Sequence, residues 1–277
     1  MTDAWHRCRG HNDGVLAPLD LVDNIYLWAA GEAAIAAQAV AALCNPVLDI
    51  PVVVGSSAQV PAWVGGATLC IIVDRQGDGA GGGLVDQLIG RGGPVIGLTA
   101  DTALAQVLSD VDATVLDVPD EAAVLPPLVV PLLEALDLED LVDDLAGWSV
   151  PRGWTGGEGL PAQLATVATT AGVPAVYGSH GIGAVAATWM AAQLRLFTGR
   201  PAVGDSFGAA LTHLPAWGAS SPLTPMAWLV ADDAEAAVAE AFDAAVPGVT
   251  TVRCRADGPA ARLAELLSLT DLVLGHM

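Results

Sequence analysis

The stretch "WVGGATLCIIVDRQGDGAGGGLVDQL", residues 63–88, carries an apolar run (LCIIV, 69–73) straight into a loop of glycines and aspartates and then into a helical pattern. A short apolar run, a glycine-rich turn and a helix make the strand–turn–helix unit of a parallel sheet that is buried on both faces. In α/β proteins that turn holds phosphate groups, on backbone N–H groups at the start of the helix. Here the turn lacks the GxxxxGK[ST] lysine and the GxGxxG order with a spaced ribose-binding acid, so it is a weak nucleotide fingerprint.

The same alternation extends in both directions. Strands are predicted at 25–28, 51–54, 69–73, 94–98 and 113–118, with helices at 33–44, 84–91 and 101–110 between them. Three prolines, Pro126, Pro127 and Pro131, predict a helix that starts late, near Pro131, and ends near Gly147. The Gly- and Pro-rich segment 148–160 reads as a linker. Beyond it the pattern resumes, with strands at 173–177, 226–231 and 249–255 and helices at 161–171, 183–197, 233–245 and from 259, after an irregular stretch near 200–225. The expected fold is α/β, with two similar three-layer halves at 15–147 and 161–277.

Composition narrows the possible partners. The 277 residues are 53% apolar and 15% charged, against roughly 25% charged in an average soluble domain. With 31 Gly and 18 Pro interrupting the apolar runs, no stretch supplies the roughly 20 apolar residues of a membrane span. The polar start "MTDAWHRCRGHNDG" has no apolar segment of the signal-peptide kind, so a cytoplasmic location is expected. The formal charge is −21, with ten Arg and no Lys. Such a field repels nucleic acid and anionic lipid, and the lack of Lys removes any Schiff-base mechanism. Cys8, Cys44, Cys70 and Cys254 show no CxxC spacing, and no metal site or cofactor is expected.

Several stretches together resemble a known family: "IYLWAAGEAAIAAQAVAAL", "IPVVVGSSAQVPAWVGGATLCIIVDRQGDG", "GGPVIGLTADTALAQVL", "VPAVYGSHGIGAVAATWMAAQL" and "PAVGDSFGAALTHLPAWG". The chain resembles the bifunctional phosphoglucose/phosphomannose isomerases, which are built from two sugar-isomerase (SIS) domains of flavodoxin-like type. The resemblance implies a homodimer with a sugar or sugar phosphate bound in a cleft. It also implies a closing helix with a lysine near its end, which is absent where this chain stops at "LVLGHM".

The resemblance also shows what is missing. The first family turn, GMGGS-like, falls on Ala29, Ala30, Gly31, Glu32 and Ala33, so alanine stands at the serine position and Glu32 brings a carboxylate. The second, SYSGNT-like, falls on Asp74, Arg75, Gln76, Gly77, Asp78 and Gly79, where only Gly77 matches. At roughly 4 Å a carboxylate facing a phosphate costs about 1 to 4 kcal/mol per charge pair, and each lost charge-assisted hydrogen bond removes about 1.5 to 3. Arg75 opposes that loss. Leu196 stands where the family has its proton-transferring glutamate, and leucine cannot accept a proton. The ring-opening histidine falls on Thr212, one residue from His213, the remaining catalytic candidate.

The ligand-binding candidates are therefore Gly31, Glu32, Arg75, Gln76, Gly77, Thr99, Ser179 and His180. Each has a plainer reading: Ser179 as a helix cap, His213 as an ordinary loop histidine, the acidic pairs as solvated faces. Trp63, Trp148 and Trp154 are candidates for lining a cleft or a dimer contact. The expected function is a carbohydrate-derivative-binding scaffold that has lost isomerase chemistry. One alternative is an active aldose–ketose isomerase using His213 and Arg75; another is a binder of an unphosphorylated or cationic ligand.

Overall fold

A computed structural model describes residues 2–12, 14–75, 80–121, 124–150, 154, 159–170, 172–213, 223–231, 235–246 and 248–277. The chain divides into two compact units, Thr2–Ala146 and Gly147–Met277.

The first unit contains α1 (Thr2–Arg7), β1 (Asn24–Ala29), α2 (Ala33–Cys44), β2 (Val52–Gly55), β3 (Thr68–Asp74), α3 (Ala80–Ile89), β4 (Val95–Thr99), α4 (Thr102–Ser109), β5 (Thr114–Asp117), α5 (Pro126–Ala135) and α6 (Glu139–Gly147). Its five strands are parallel, in the order β2-β1-β3-β4-β5, which is the flavodoxin-like order with its reversal point between β1 and β3. All seven residues of β3 are buried, because a central parallel strand is covered on both faces. Tyr26, Trp28, Cys70 and Ile72 pack with Leu84, Leu88, Leu104 and Leu108 of α3 and α4 on one face. On the other face α2 packs against β1 and α5. Asn12 stitches the N-terminal segment to the edge strand β5, donating to the Asp117 carbonyl at 3.1 Å and accepting the Asp117 N–H at 2.8 Å.

The prolines behave differently from the sequence expectation. α5 begins at Pro126, not near Pro131; Pro126 and Pro127 take the first turn, where no N–H is needed, and Pro131 lies inside the helix. Leu128, Val129, Val130, Leu132 and Leu133 around it are wholly buried, and that burial outweighs the one backbone hydrogen bond Pro131 cannot make. α5 and α6 are separate helices, because Asp137 adopts φ +58° between them.

The second unit contains α7 (Leu160–Thr170), β6 (Val173–Gly178), α8 (Ile182–Thr198), β7 (Val203–Ser206), α9 (Phe207–His213), β8 (Leu223–Val230), α10 (Ala236–Ala245), β9 (Thr250–Arg253) and α11 (Pro259–Gly275). Its parallel strands run β7-β6-β8-β9, reversing between β6 and β8. Val176, Ala227, Leu229 and Val252 pack against α7, α8 and α11 on one face. Tyr177, Trp228 and Val230 pack against Phe207 and Phe242 of α9 and α10 on the other. The Trp228 and Phe242 rings stack at 5.0 Å. β7 and α9 occupy part of the stretch expected to be irregular; β7 is short and only partly buried, and so has little apolar periodicity. Trp154, a cleft or dimer-contact candidate, is 5% exposed within this unit's core. Among the described residues no helix is long and apolar enough to cross a membrane.

Candidate functional site

In open parallel sheets, ligands bind beyond the carboxyl ends of the strands at the point where strand order reverses. In the first unit that point lies between β1 and β3, which are paired along their whole length from Asn24↔Thr68 to Ala29↔Val73. Gly31, just past β1, takes φ +57°, a conformation that suits glycine and turns the chain into α2. Glu32 is the residue at the start of α2 and makes no side-chain cap hydrogen bond. From β3 comes Asp74, 8% exposed, followed by Arg75. A cavity of about 90 Å³ lies between these turns, lined by Ala30, Gly31, Glu32, Ala33, Asp74, Arg75, Val124 and Leu128. Complete small-molecule sites run to several hundred Å³, so this space fits one end of a ligand.

Three of the expected ligand-binding residues thus come together here: Gly31, Glu32 and Arg75. Asp74 and the apolar Val124 and Leu128 join them. The guanidinium of Arg75 donates from Nη2 to the Glu121 carbonyl at 2.8 Å, and the Glu121 carboxylate holds Arg7 Nε at 2.6 Å. Gln76 and Gly77 lie outside the described residues. Thr99 ends β4 in register with Asp74 but does not line the cavity. Its Oγ1 accepts the Asp101 N–H at 2.9 Å, and Asp101 in turn caps α4 by accepting the Ala103 N–H at 2.9 Å.

Ser179 and His180 belong to the second unit's reversal point, between β6 and β8. Ser179 is wholly buried; its N–H donates to the Leu229 carbonyl and its Oγ accepts the Ala231 N–H, both at 2.8 Å. The hydroxyl ties β6 to the end of β8, and Gly181, the residue before α8, provides no side-chain cap. His180 is exposed, and its backbone N–H donates to Glu235 Oε2 at 2.8 Å. Glu235 was not singled out by sequence reasoning; the only local signal is an acid just before an alanine-rich helix. A carboxylate of the chain itself therefore sits on the backbone N–H of this turn. The approach is close, since a Cβ on Gly178 would overlap the Gly183 carbonyl.

His213 is the last residue of α9, and its side chain lies outside what is described. Thr212 donates to the Ala209 carbonyl at 2.7 Å. Leu196 is 66% exposed on α8. Among the described residues no group of three or more His, Cys, Asp or Glu could hold a metal ion.

No protein-family model matches the chain, and no curated protein is found similar to it in sequence. Solved structures are similar in fold. A candidate sugar-binding protein from Salmonella typhimurium aligns with TM-score 0.69 and 12% identity, over 99% of this chain and 92% of that one. A candidate phosphosugar isomerase from Silicibacter pomeroyi gives TM-score 0.69 and 16% identity, over 99% and 94%. The C-terminal domain of glucosamine-fructose-6-phosphate aminotransferase from Francisella tularensis gives 0.65 and 11%, over 98% and 91%. Across nearly its whole length, this chain has the fold of these sugar and phosphosugar proteins.

Proposed function

We propose that the chain is a two-domain SIS-type protein, related to the phosphoglucose/phosphomannose isomerases, that binds a carbohydrate derivative in the β1–β3 cleft and has lost aldose–ketose isomerase chemistry. The observation that carries this reading is the cavity at the strand-order reversal, where Glu32 and Asp74 supply carboxylates and Ala33 supplies no hydroxyl. Leucine at position 196 supports it, because proton transfer between C1 and C2 needs a base. The two compact units support a two-domain division of the chain. In this reading the protein is a cytoplasmic homodimer.

The test is a coupled assay of the purified chain with fructose 6-phosphate and mannose 6-phosphate, together with a thermal-shift titration of free sugars. Sugar binding without turnover is the expected result. The presence of Arg75 in the cavity favours one competing reading, a working isomerase that uses Arg75 and His213. Turnover abolished by His213→Ala would establish that reading instead.

A further inference from the structure

We infer that the loop after β2 forms a second binding surface, on which a neutral pyranoside stacks its C–H face against the Trp63 indole and hydrogen-bonds the buried Tyr26 hydroxyl. Neither residue lines the β1–β3 cavity, so this surface stands apart from the cleft and does not rest on its reading.

The Trp63 ring stands edge-on to the Tyr26 ring, with centroids 5.6 Å apart at 88°. It is 49% exposed, and Val53, the register partner of Tyr26 on the edge strand, is 41% exposed. Three side chains brace the loop. Trp28 Nε1 donates to the Ser57 carbonyl at 2.9 Å, Gln87 Oε1 accepts the Val60 N–H at 3.1 Å, and Arg91 Nη1 donates to the Ala62 and Val64 carbonyls at 3.3 and 3.1 Å. The backbone is thus fixed on both sides of Trp63, and a large aromatic held rigidly in water is a preorganised contact surface.

Behind it lies a hydroxyl without a partner. Tyr26 is 2% exposed, and its Oη makes no hydrogen bond among the described residues. That oxygen ends against Gly55, the last residue of β2, where a Cβ would overlap it. The exposed Ser56 and Ser57 follow directly. Buried hydroxyls are ordinarily paired, so an unpaired one at the rim of an exposed aromatic patch is satisfied by a hydroxyl that arrives with a ligand.

Charge selects the class of ligand. Residues 51–73 contain no charged side chain, in a chain of net charge −21, and the Arg91 cation is engaged with backbone carbonyls of the loop. An ionic group would lose water here and gain no counter-charge. A pyranose ring offers what the surface lacks: an apolar face for Trp63 and Val53, and hydroxyls for Tyr26 Oη and the exposed Ser56. The Tyr26 hydroxyl is covered in the free protein, so binding shifts the Trp63 ring from its edge contact, and the indole reports the event.

The test follows the Trp63 indole N–H resonance, identified by its loss in Trp63→Phe, while the full chain is titrated with methyl β-glucoside, methyl β-galactoside and glucose 6-phosphate. A saturable shift with a pyranoside is expected by about 50 mM, the range of weak single-ring binding, with a weaker response to glucose 6-phosphate. Read from the Gly55 and Ser56 amides, Tyr26→Phe should weaken binding about fivefold or more, and Trp63→Ala should abolish it. The urea midpoint of Tyr26→Phe should hold or rise, because the variant removes an unpaired group. No shift at Trp63, an unchanged affinity in Tyr26→Phe, or a response to glucose 6-phosphate as strong as to the pyranosides overturns the inference. A Trp63 resonance that moves with protein concentration alone gives the surface to a second copy, and tighter saturation by a proline-rich peptide gives it to a protein partner; each overturns it. Thermal stabilisation by sugar with Trp63 unmoved overturns it and leaves the cleft reading standing.

Discussion

Arg75 donates to the backbone carbonyl of Glu121 at 2.8 Å, so this cation, the one lining the cavity among the described residues, doubles as a strut for the chain at Glu121. The Glu121 side chain continues the chain of contacts to Arg7, which places the N-terminal helix and the mouth of the cleft in one polar network.

Arg75→Ala should therefore cost stability as well as change the charge of the cleft. Hydrogen bonds from charged groups contribute about 1.5 to 3 kcal/mol, and partial exposure brings the expected loss to about 1. Urea unfolding of the variant checks this; an unchanged midpoint would remove the strut from the account.

The meeting of β6 and α8 should tolerate no side chain. A Cβ at Gly178 would run into the Gly183 carbonyl, and backbone cannot swing aside. Gly178→Ala is expected to destabilise the second unit by about 3 kcal/mol or more. Fluorescence of the buried Trp228 during denaturation reports it.

Removing the Glu235 carboxylate should loosen the second reversal point. Glu235→Ala deprives the His180 N–H of its acceptor and should cost about 1 kcal/mol, whereas Glu235→Gln keeps an acceptor and should cost less. Amide hydrogen exchange at His180 distinguishes the two variants.

Stability should fall in alkali. Burial pushes the Cys44 thiol from 9.0 up to about 12 and the Cys70 thiol up to about 11. The folded state thus keeps protons that the unfolded chain releases, so their contribution is intact below pH 9 and is lost as pH rises through 9 to 12. Urea midpoints should be flat to about pH 8 and decline above about pH 9, and the buried thiols should resist alkylation at pH 8 until the first unit unfolds. A midpoint that rises above pH 9 would contradict this.

Much of the architecture was legible because burial on both faces of a parallel strand leaves a local apolar run. LCIIV at 69–73 reads as β3, and AAIAAQAVAALC at 33–44 has the bounds of α2. Prolines misled where burial outweighed local preference, as at Pro131, and the half-exposed β7 left no apolar run to read. The site was partly legible. Gly31, Glu32 and Arg75 announce themselves as turn residues after strands, but the burial of Asp74, the anchoring of Arg75 and the presence of Glu235 at His180 all depend on segments far away in the chain.

Alone, the sequence determined most of the strands and longer helices, the excess of negative charge, and the absence of serine, threonine and lysine from the turn after β1, since each is a property of residues next to one another. Only the tertiary structure decided which turns share a cavity and which side chains are already engaged. Pairing β1 with β3 brings Glu32 and Asp74 to one space, and no local pattern encodes that neighbourhood, because it arises from sheet order and from the packing that encloses it.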